Sequence, residues 1–414
     1  MRRKKKTTRT KSPKISMIIT IRGHEPLAQS TCECARDTAG RDIELIVVCD
    51  GQRAEPWMAE LVDQVIELDR PTCPQRARHE GIIRSSGDLI VLTDAHMRYS
   101  TDWARELATY YSDAATRDTL SCCMIGSLTE RGATSDETPY RGATLHERMI
   151  ARTGERLAMV ARWCASNEPG NEIGAIMGAF YAFPRGWYDS HGQPFASGMG
   201  WGCDEERLSI TAHLTGGRVV LLPDTIRAWH QFATAPRYQI DADHTARVWV
   251  ERIKLILALP APQDYVQTLA SHVAASQYLV DVPGVIARAR SEAAKPHERA
   301  WAQTLRADLW RDMSERWIRP GIYDDRPGPS GPVEHTTTTT AQSMHQMPCS
   351  RPAPLMRIRD VCPRCDAIDS FRVYGSRRDV QYVRCAHCGF RGRRKLVTPR
   401  GVQIMDNLAL LIST

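Results

Sequence analysis

The segment SGDLIVLTDAH, residues 86–96, decides the fold of this chain. Leu89–Thr93 is a short apolar and β-branched run, which is typical of a strand buried on both faces. Asp94 and His96 follow that strand two positions apart, so an extended chain directs both side chains to the same side. A carboxylate oxygen and an imidazole nitrogen placed there can bind one divalent metal ion, and such an ion can hold a diphosphate. The alternative is a polar strand end without a metal.

Other strand-like runs alternate with helix-like segments around this one. Such alternation predicts an α/β fold with a mostly parallel sheet that helices cover on both faces. Ligands bind beyond the carboxyl ends of the strands in such sheets, which is where Asp50 and Asp94 fall. The predicted strands are Ile15–Ile21, Ile43–Asp50, Leu89–Thr93 and Val219–Leu222, and the predicted helices are Leu27–Thr38, Trp57–Val65 and Asp102–Tyr111.

The composition is that of a globular protein. The chain has 414 residues, of which 42% are hydrophobic, enough for two or three domains with a core. It has no run of about eighteen apolar residues that would span a membrane, and its basic N-terminus lacks the apolar stretch of a signal peptide. We therefore expect a cytoplasmic protein without a membrane partner, in which most cysteines stay reduced.

The positive charge is concentrated at the two ends of the chain. The net charge is +7, with +8 in residues 1–14, +8 in residues 357–400 and −1 in residues 401–414, which leaves −8 for residues 15–356. Basic ends suit a polyanion, either nucleic acid or an anionic membrane, although basic tails can also serve solubility alone.

Composition shifts divide the chain into six segments. Residues 243–318 have helical periodicity in Thr245–Leu259, Tyr265–Val280 and Glu298–Trp317. The stretch after Pro320 is rich in Pro, Gly, Thr and Ser, so it cannot bury a core. The predicted segments are a disordered basic arm (1–14), an α/β catalytic domain (15–240), a helical extension (241–319), a flexible linker (320–356), a cysteine module (357–400) and a C-terminal tail (401–414).

Four cysteines of the module have the spacing of a structural zinc site. Cys362 and Cys365 form one C-x2-C pair, and Cys385 and Cys388 form a second pair after a nineteen-residue spacer. Two such pairs can supply four thiolates to one tetrahedral Zn2+ ion, and the spacer pattern predicts a hairpin, so we expect a zinc ribbon. Disulfides are the alternative, but nothing else in the sequence indicates secretion.

Basic and aromatic residues are interleaved through this module. Such a combination suits phosphate contact and base stacking, so we expect nucleic-acid binding, with protein docking and a purely structural role as alternatives. The residues are Arg372, Arg377, Arg378, Arg384, Arg391, Arg393, Arg394 and Lys395, with Phe371, Tyr374, Tyr382 and Phe390 between them.

Several motifs in residues 15–232 together resemble one family. The segment RARHEG at 76–81 precedes the Asp94-Ala-His96 motif, WGCDE at 201–205 resembles a Trp-Gly-Gly-Glu-Asn motif, and AWHQF at 228–232 follows the last predicted strand. This order resembles that of the GT-A fold nucleotide-sugar glycosyltransferases, above all the polypeptide N-acetylgalactosaminyltransferases and the wider family-2 type enzymes. Cys203 and Asp204 stand where the family motif has Gly and Glu.

The resemblance implies a metal and nucleotide site. Asp94, His96 and His230 would hold Mn2+ or Mg2+, which would neutralise the phosphates of a UDP-sugar donor. The family's uracil-binding carboxylate and the wall of its nucleotide pocket correspond to Asp50 and Arg22. Two arginines, Arg76 and Arg78, would approach the nucleotide or diphosphate, with a surface salt bridge as the alternative for each.

The resemblance also implies an acceptor side. Asp204 and Glu205 are the expected catalytic carboxylates: an inverting enzyme would use one as a base, and a retaining enzyme could use it to hold the donor sugar and the acceptor. Both outcomes stay open, because the two parts of the family differ in this respect. Glu206 is expected to be an ordinary acidic residue at a helix N-terminus.

The basic ends and the ribbon motif indicate the acceptor. We expect transfer to a hydroxymethylated or otherwise modified base of DNA, as in bacteriophage genome modification, in a bacterial or phage-infected host cell. The alternatives are a protein or polysaccharide acceptor with a ribbon that docks a protein, a nucleic-acid-binding protein with an inactive core, and a sugar nucleotidyltransferase, which would need a Gly-rich phosphate loop that the N-terminus lacks. These motifs do not encode the sugar, the base or the oligomeric state.

Overall fold

The computed structural model describes residues 12–129, 132–151, 154–232, 242–276, 281–325, 371–377, 380–385 and 391–395, the last three segments and 242–245 by their backbone alone. The chain divides into two compact units at residue 326. The strands of the described residues are β1 Ile15–Ile21, β2 Glu44–Asp50, β3 Gln64–Leu68, β4 Leu89–Thr93, β5 Met97–Tyr99, β6 Thr119–Cys122, β7 Met124–Leu128, β8 Thr134–Tyr140, β9 Ala143–Ile150, β10 Arg156–Trp163, β11 Phe180–Pro184, β12 Arg218–Leu221, β13 Arg227–His230, β14 Ile318–Asp324, β15 Phe371–Arg377, β16 Val380–Cys385 and β17 Arg391–Lys395. The α-helices are α1 Ala28–Asp37, α2 Pro56–Leu61, α3 Pro74–Arg84, α4 Trp103–Tyr110, α5 Arg185–Ser190, α6 Asp204–Leu214, α7 Ala242–Ala258, α8 Gln263–Ala274, α9 Val282–Ala293, α10 Pro296–Ala302 and α11 Trp310–Trp317.

A seven-stranded sheet forms the centre of the larger unit, in the order β12-β6-β11-β4-β1-β2-β3. Every neighbouring pair is parallel except the two that involve β11, which is antiparallel to β4 and β6. The prediction of a mostly parallel α/β sheet is therefore confirmed. The segment Leu89–Thr93 is β4, the middle strand of this sheet, and is buried at every position, as its apolar run requires.

Helix α3 packs directly against β1 and β2. Gly81 makes this close approach possible: a Cβ atom there would lie 2.5 Å from Ile18 Cγ2 and 3.2 Å from Val48 Cγ2. The first turns of α3 are thereby held beside the carboxyl ends of the central strands, where ligands bind in sheets of this type.

Two smaller sheets complete the larger unit. One has the order β5-β13-β7-β8, and its register places His230 opposite Met97, directly after the β4 strand end. The other has the order β10-β9-β14, with β14 parallel to β9. None of the strands in these two sheets was predicted from the sequence.

Three predictions in this unit need correction. The expected helix Trp57–Val65 ends at Leu61, and Gln64–Leu68 is a strand whose residues pair with β2. The expected helix Glu298–Trp317 is two helices, α10 and α11. The linker expected from Pro320 begins with a strand instead, because β14 extends to Asp324 along β9.

The smaller unit contains a three-stranded antiparallel sheet, in the order β15-β16-β17. Its first two strands form the hairpin that the spacer between the cysteine pairs predicts. Cys385 ends β16, whereas Cys362, Cys365 and Cys388 lie outside the described residues, as do most of the arm, the linker and the tail. Within the described parts of the chain, no helix is both long enough and apolar enough to cross a lipid bilayer.

Candidate functional site

Asp94, His96 and His230 converge at the carboxyl end of β4. Their ligand atoms lie within 4.8 Å of one another. The two imidazole Nε2 atoms are 3.0 Å apart, and His230 Nε2 is 3.3 Å from Asp94 Oδ2. Although burial raises the pKa of Asp94, its hydrogen bond with His230 and the nearby charges of Arg78 and the histidines lower it well below its usual value. The carboxylate is therefore ionised, as a metal ligand must be.

The donor atoms of this cluster fit a divalent cation. One oxygen and two imidazole nitrogens form a set that suits Mn2+ and related ions. Two neutral imidazole nitrogens at hydrogen-bond distance can share only one proton, whereas a cation accepts a lone pair from each. The arrangement thus agrees with the metal site that the sequence predicts.

Glu25 is a residue of this site that the sequence analysis missed. Its Oε2 atom lies 3.2 Å from Nδ1 of His96, on the opposite side of the ring from the cluster. A carboxylate in this position fixes the ring of a metal-binding histidine and makes its other nitrogen a better ligand. Glu25 lies in the loop after β1, 71 residues before His96, so no local spacing could have revealed it.

Asp50 ends β2, two strands away from Asp94 in the sheet order. The backbone N–H and hydroxyl of Thr72 donate to its Oδ1 at 2.7 and 2.8 Å, and Arg22 Nη1 lies 3.9 Å from its Oδ2. Burial raises the pKa of Asp50 more than these neighbours lower it. Arg22 and Asp50 both line the same cavity as the metal cluster.

The two arginines of α3 have different environments. Arg78 is buried and joins the two sides of the site, since one nitrogen donates to Asp204 and another lies 3.1 Å from Asp94 Oδ1. Arg76 does not line the cavity: it donates to the carbonyl of Ala196 at 2.5 Å and to Glu80 at 2.6 Å. These contacts agree with the salt-bridge alternative for Arg76, and its approach to a nucleotide stays a prediction.

A strained turn leads into the acceptor-side carboxylates. Cys203 has φ of 64°, in the left-handed region that favours glycine, and glycine is the residue of the family motif at this place. The turn starts α6, so that Asp204 and Glu205 occupy its first turn and line the cavity.

Both carboxylates have raised pKa values. Burial is the main cause for Asp204, with a pKa of about 6, and for Glu205, with a pKa of about 8. Glu205 Oε1 accepts from Trp163 Nε1 at 2.6 Å and from the backbone N–H of Gly178. Asp204 Oδ1 is buried without a hydrogen-bond partner.

Glu206 differs from its two neighbours in its partners. It accepts a hydrogen bond from the backbone of Ala161 at 3.1 Å and pairs with Arg252. Through these contacts Glu206 links α6 to β10 and α7. This agrees with the structural role expected for it.

One cavity has a volume of about 1030 Å³ and is lined by the three proposed metal ligands together with Arg22, Glu25, Asp50, Arg78, Asp204, Glu205 and Glu206, but not by Arg76. Asp50 ends β2, two strands from the β4 end that carries Asp94, and Arg78 links Asp94 to Asp204 within the same cavity. The cavity is large enough for a nucleotide-sized ligand together with part of a second molecule.

Known proteins resemble this chain in sequence and in fold. Residues 16–166 match the family Glycosyl transferase family 2. No curated protein sequence is significantly similar to the chain. The structure of GalNAc-T7 with UDP, GalNAc and Mn2+ matches 74% of this chain at 14% identity and a TM-score of 0.51, and the chain covers 58% of that protein, less than two thirds of its length.

A weaker similarity relates the chain to S. aureus TarS in complex with UDP-GlcNAc. The identity is 12% and the TM-score 0.42, over 73% of this chain and 90% of that one. The family match and the fold shared with GalNAc-T7 agree with the resemblance that the motifs indicate. Residues 16–166 thus match a family 2 glycosyltransferase domain, and the chain has a GT-A-like fold.

Proposed function

We propose that the protein transfers a sugar from a UDP-sugar to a hydroxyl group, with Mn2+ or Mg2+ held by Asp94, His96 and His230. The observation that carries the proposal is the convergence of these three ligands within 4.8 Å, in one cavity with Asp50 and Asp204. When bound, the cation neutralises the two phosphates of the donor. The fold relative GalNAc-T7 contains UDP, GalNAc and Mn2+, which supports this reading.

Other residues around the metal cluster bind the donor or position the carboxylates. Asp50 and Arg22 bind the nucleoside part of the donor at the end of β2. Arg78 holds Asp94 and Asp204 at a fixed separation through its two ion pairs. Because a guanidinium group offers a rigid set of donors, it can do this better than a lysine could.

Asp204 receives the hydrogen bond of the acceptor hydroxyl. Asp204 lines the cavity beside the metal cluster, and its ion pair with Arg78 orients its carboxylate there. A pKa of about 6 leaves the carboxylate ionised at neutral pH and basic enough to draw a proton from the hydroxyl. Glu205 lies beside it in a fixed orientation, since Trp163 and Gly178 both donate to its carboxylate.

The acceptor that we propose is a hydroxymethylated or similarly modified base in DNA, such as a phage genome in the cytoplasm of a bacterial host. The support is the concentration of +8 at each end of an otherwise acidic chain, together with two C-x2-C pairs. We propose that Cys362, Cys365, Cys385 and Cys388 bind a structural Zn2+ ion. Transfer to a protein or polysaccharide, with the ribbon docking a protein, is the second candidate.

A screen of donors and acceptors tests the proposal. The protein is incubated with UDP-sugars and Mn2+ on DNA that carries 5-hydroxymethylcytosine, on peptides and on oligosaccharides, and product masses are measured after digestion. We expect a hexose-sized mass increase on the modified nucleoside, abolished by EDTA and reduced at least about 100-fold in His96→Ala. A product on peptide or glycan alone would refute the DNA acceptor, and donor turnover unaffected by EDTA would refute the metal site.

A further inference from the structure

The cavity has a polar half and an apolar half. The polar half contains the metal cluster, Asp50, Arg22 and Arg78. The apolar half contains aliphatic and aromatic side chains from β8, β9, β10 and the segments that follow β11 and β13. These residues are Tyr140, Met149, Leu157, Val160, Ala161, Trp163, Trp201 and Phe232.

Three aromatic rings in the apolar half contact one another, and we call Tyr140, Trp163 and Phe232 the aromatic wall. Their centroids are 5.4 to 5.9 Å apart. The ring of Phe232 also lies 4.6 Å from the ring of His230, so the wall begins directly beside a proposed metal ligand.

Part of this surface is exposed to solvent. Of the four large hydrophobic side chains exposed in the described residues, the two aromatic ones are Trp201, 56% exposed, and Phe232, 43% exposed, and both line this cavity. Exposed aromatic rings in a cavity with a few convergent polar groups are typical of a ligand site.

The wall lies on the acceptor side of the metal cluster. Asp50 ends β2, which lies two strands from β4 on one side of the sheet, and β11 lies next to β4 on the other side. Gly178, just before β11, donates its backbone N–H to Glu205, and Trp163 donates to the same carboxylate. Trp163 therefore connects the aromatic wall directly to the acceptor-side carboxylates. The uracil of a donor held at Asp50 would be on the far side of the cluster.

We infer that the aromatic wall binds the acceptor by stacking on a flat heteroaromatic ring, which directs the hydroxyl carried by that ring to Asp204. This inference rests on the proposed function and specifies the acceptor class of the same site. A nucleobase has a π-face that stacks on aromatic side chains.

A binding measurement isolates the stacking step. The probes are two single-stranded oligonucleotides of the same length, one with a central 5-hydroxymethylcytosine and one with an abasic site there, bound to the full chain with UDP and Mn2+. Both carry the same phosphates, so contacts with the basic ends cancel in the ratio of the two affinities. We expect the wild type to favour the base by about tenfold, the size of one base–aromatic stack.

Variants of the wall then test the assignment. Phe232→Ala should reduce the preference for the base to less than about threefold. Phe232→Leu, which keeps most of the side-chain volume but has no π-face, should do the same if the alanine variant folds poorly. Ile83→Ala removes a side chain that is 47% exposed on α3 and outside the cavity, and it should keep the full preference.

Two results would overturn the inference: equal wild-type affinity for both oligonucleotides, or an unchanged preference in both Phe232 variants. Sugar transfer is measured in parallel and reports on the proposed function separately. Transfer without a wall-dependent base preference refutes the stacking site alone. A wall-dependent preference without transfer from any UDP-sugar refutes the proposed function and leaves the stacking site in place.

Discussion

At the scale of single residues, Arg78 links the two chemical halves of the site. Its guanidinium is buried and paired with both Asp94 and Asp204, so one side chain sets the spacing between a proposed metal ligand and the proposed acceptor carboxylate. Buried charges are tolerated when they are paired in this way, and losing one partner leaves the others without compensation.

Arg78→Lys should therefore impair both stability and turnover. A lysine cannot make two divergent ion pairs with fixed geometry, so we expect a loss of about 3 kcal/mol in the free energy of unfolding and a fall of at least about tenfold in kcat. Chemical denaturation and steady-state kinetics measure the two effects. Arg76→Lys on the same helix is the matched control, and equal effects of the two substitutions would contradict the role assigned to Arg78.

Glu205→Gln should make the protein more stable at alkaline pH while lowering its activity. The pKa of Glu205 rises from 4.5 to about 8 on folding, so the stability that the protonated form provides is complete below pH 4.5 and is lost as the pH rises through 8. Glutamine does not titrate and can still accept from Trp163. We expect a gain of more than about 2 kcal/mol at pH 8.5 and a smaller gain at pH 5.

Thermal unfolding at the two pH values measures this difference. Glu33→Gln, which changes an exposed carboxylate on α1, serves as the control and should show no pH-dependent gain. A Glu205→Gln variant that is less stable than the wild type at pH 8.5 would show that the ionised carboxylate stabilises the fold.

At the scale of elements, helix α7 supports the acceptor side from behind. Glu251, Arg252 and Lys254 are all buried in its middle. Glu251 accepts from the backbone N–H of Met199 at 2.7 Å, Lys254 donates to the carbonyl of Ser197 at 2.9 Å, and Arg252 donates to two carbonyls of β10. The helix thus holds both the segment that leads to Cys203 and the strand that carries Trp163.

Lys254→Met should destabilise the protein by about 3 to 5 kcal/mol, because it leaves the buried carboxylate of Glu251 without its paired lysine and leaves Glu298 with Arg207 alone. Lys295→Met is a matched control: Lys295 also pairs with a glutamate three residues earlier in the chain, but its side chain is 54% exposed, and we expect a change below about 1 kcal/mol. Denaturant titrations compare the two, and similar losses would contradict this account.

Local sequence patterns predict some of these elements well and others poorly. The runs at 15–21 and 89–93 are continuous and apolar because both faces of their strands are buried, so the pattern alone reveals them. Strand β8 has the sequence TSDETPY with no buried position, so its only signal lies in pairing with β7. The sequence alone would predict that Lys254 is a solvent-exposed charge on a helix, because its partner Glu298 lies in another segment of the chain.

Residues of the candidate site also differ in how well the sequence predicts them. Asp94 and His96 are neighbours along the chain, so their spacing predicts their convergence. Glu25 and Arg252 reach the site only through tertiary packing, 71 residues from His96 and 46 from Glu206 respectively, and their spacing carries no signal.

At the scale of the whole molecule, the charge distribution predicts how the protein meets DNA. Removal of residues 357–414 takes away a segment with +8 in residues 357–400 and leaves the unit that contains the cavity. We expect this truncation to weaken binding to long DNA at least about tenfold and to make the affinity less dependent on salt, because fewer phosphates are neutralised.

Binding is measured at several salt concentrations, alongside sugar transfer to a hydroxymethylated nucleoside. Transfer to the nucleoside should persist, because the cavity is formed by the larger unit. An unchanged salt dependence after truncation would exclude a role of the C-terminal module in DNA binding.

The position of β14 has a consequence for protein synthesis. This strand, Ile318–Asp324, adds to β9 and β10, and the next residue, Asp325, lies 2.8 Å from Arg162 on the cavity wall. A two-stranded hairpin alone is only marginally stable. The three metal ligands, of which His230 is the last, are therefore synthesised about a hundred residues before β14. A nascent chain that ends between His230 and Ile318 contains all three metal ligands but lacks the strand that completes the sheet containing Trp163.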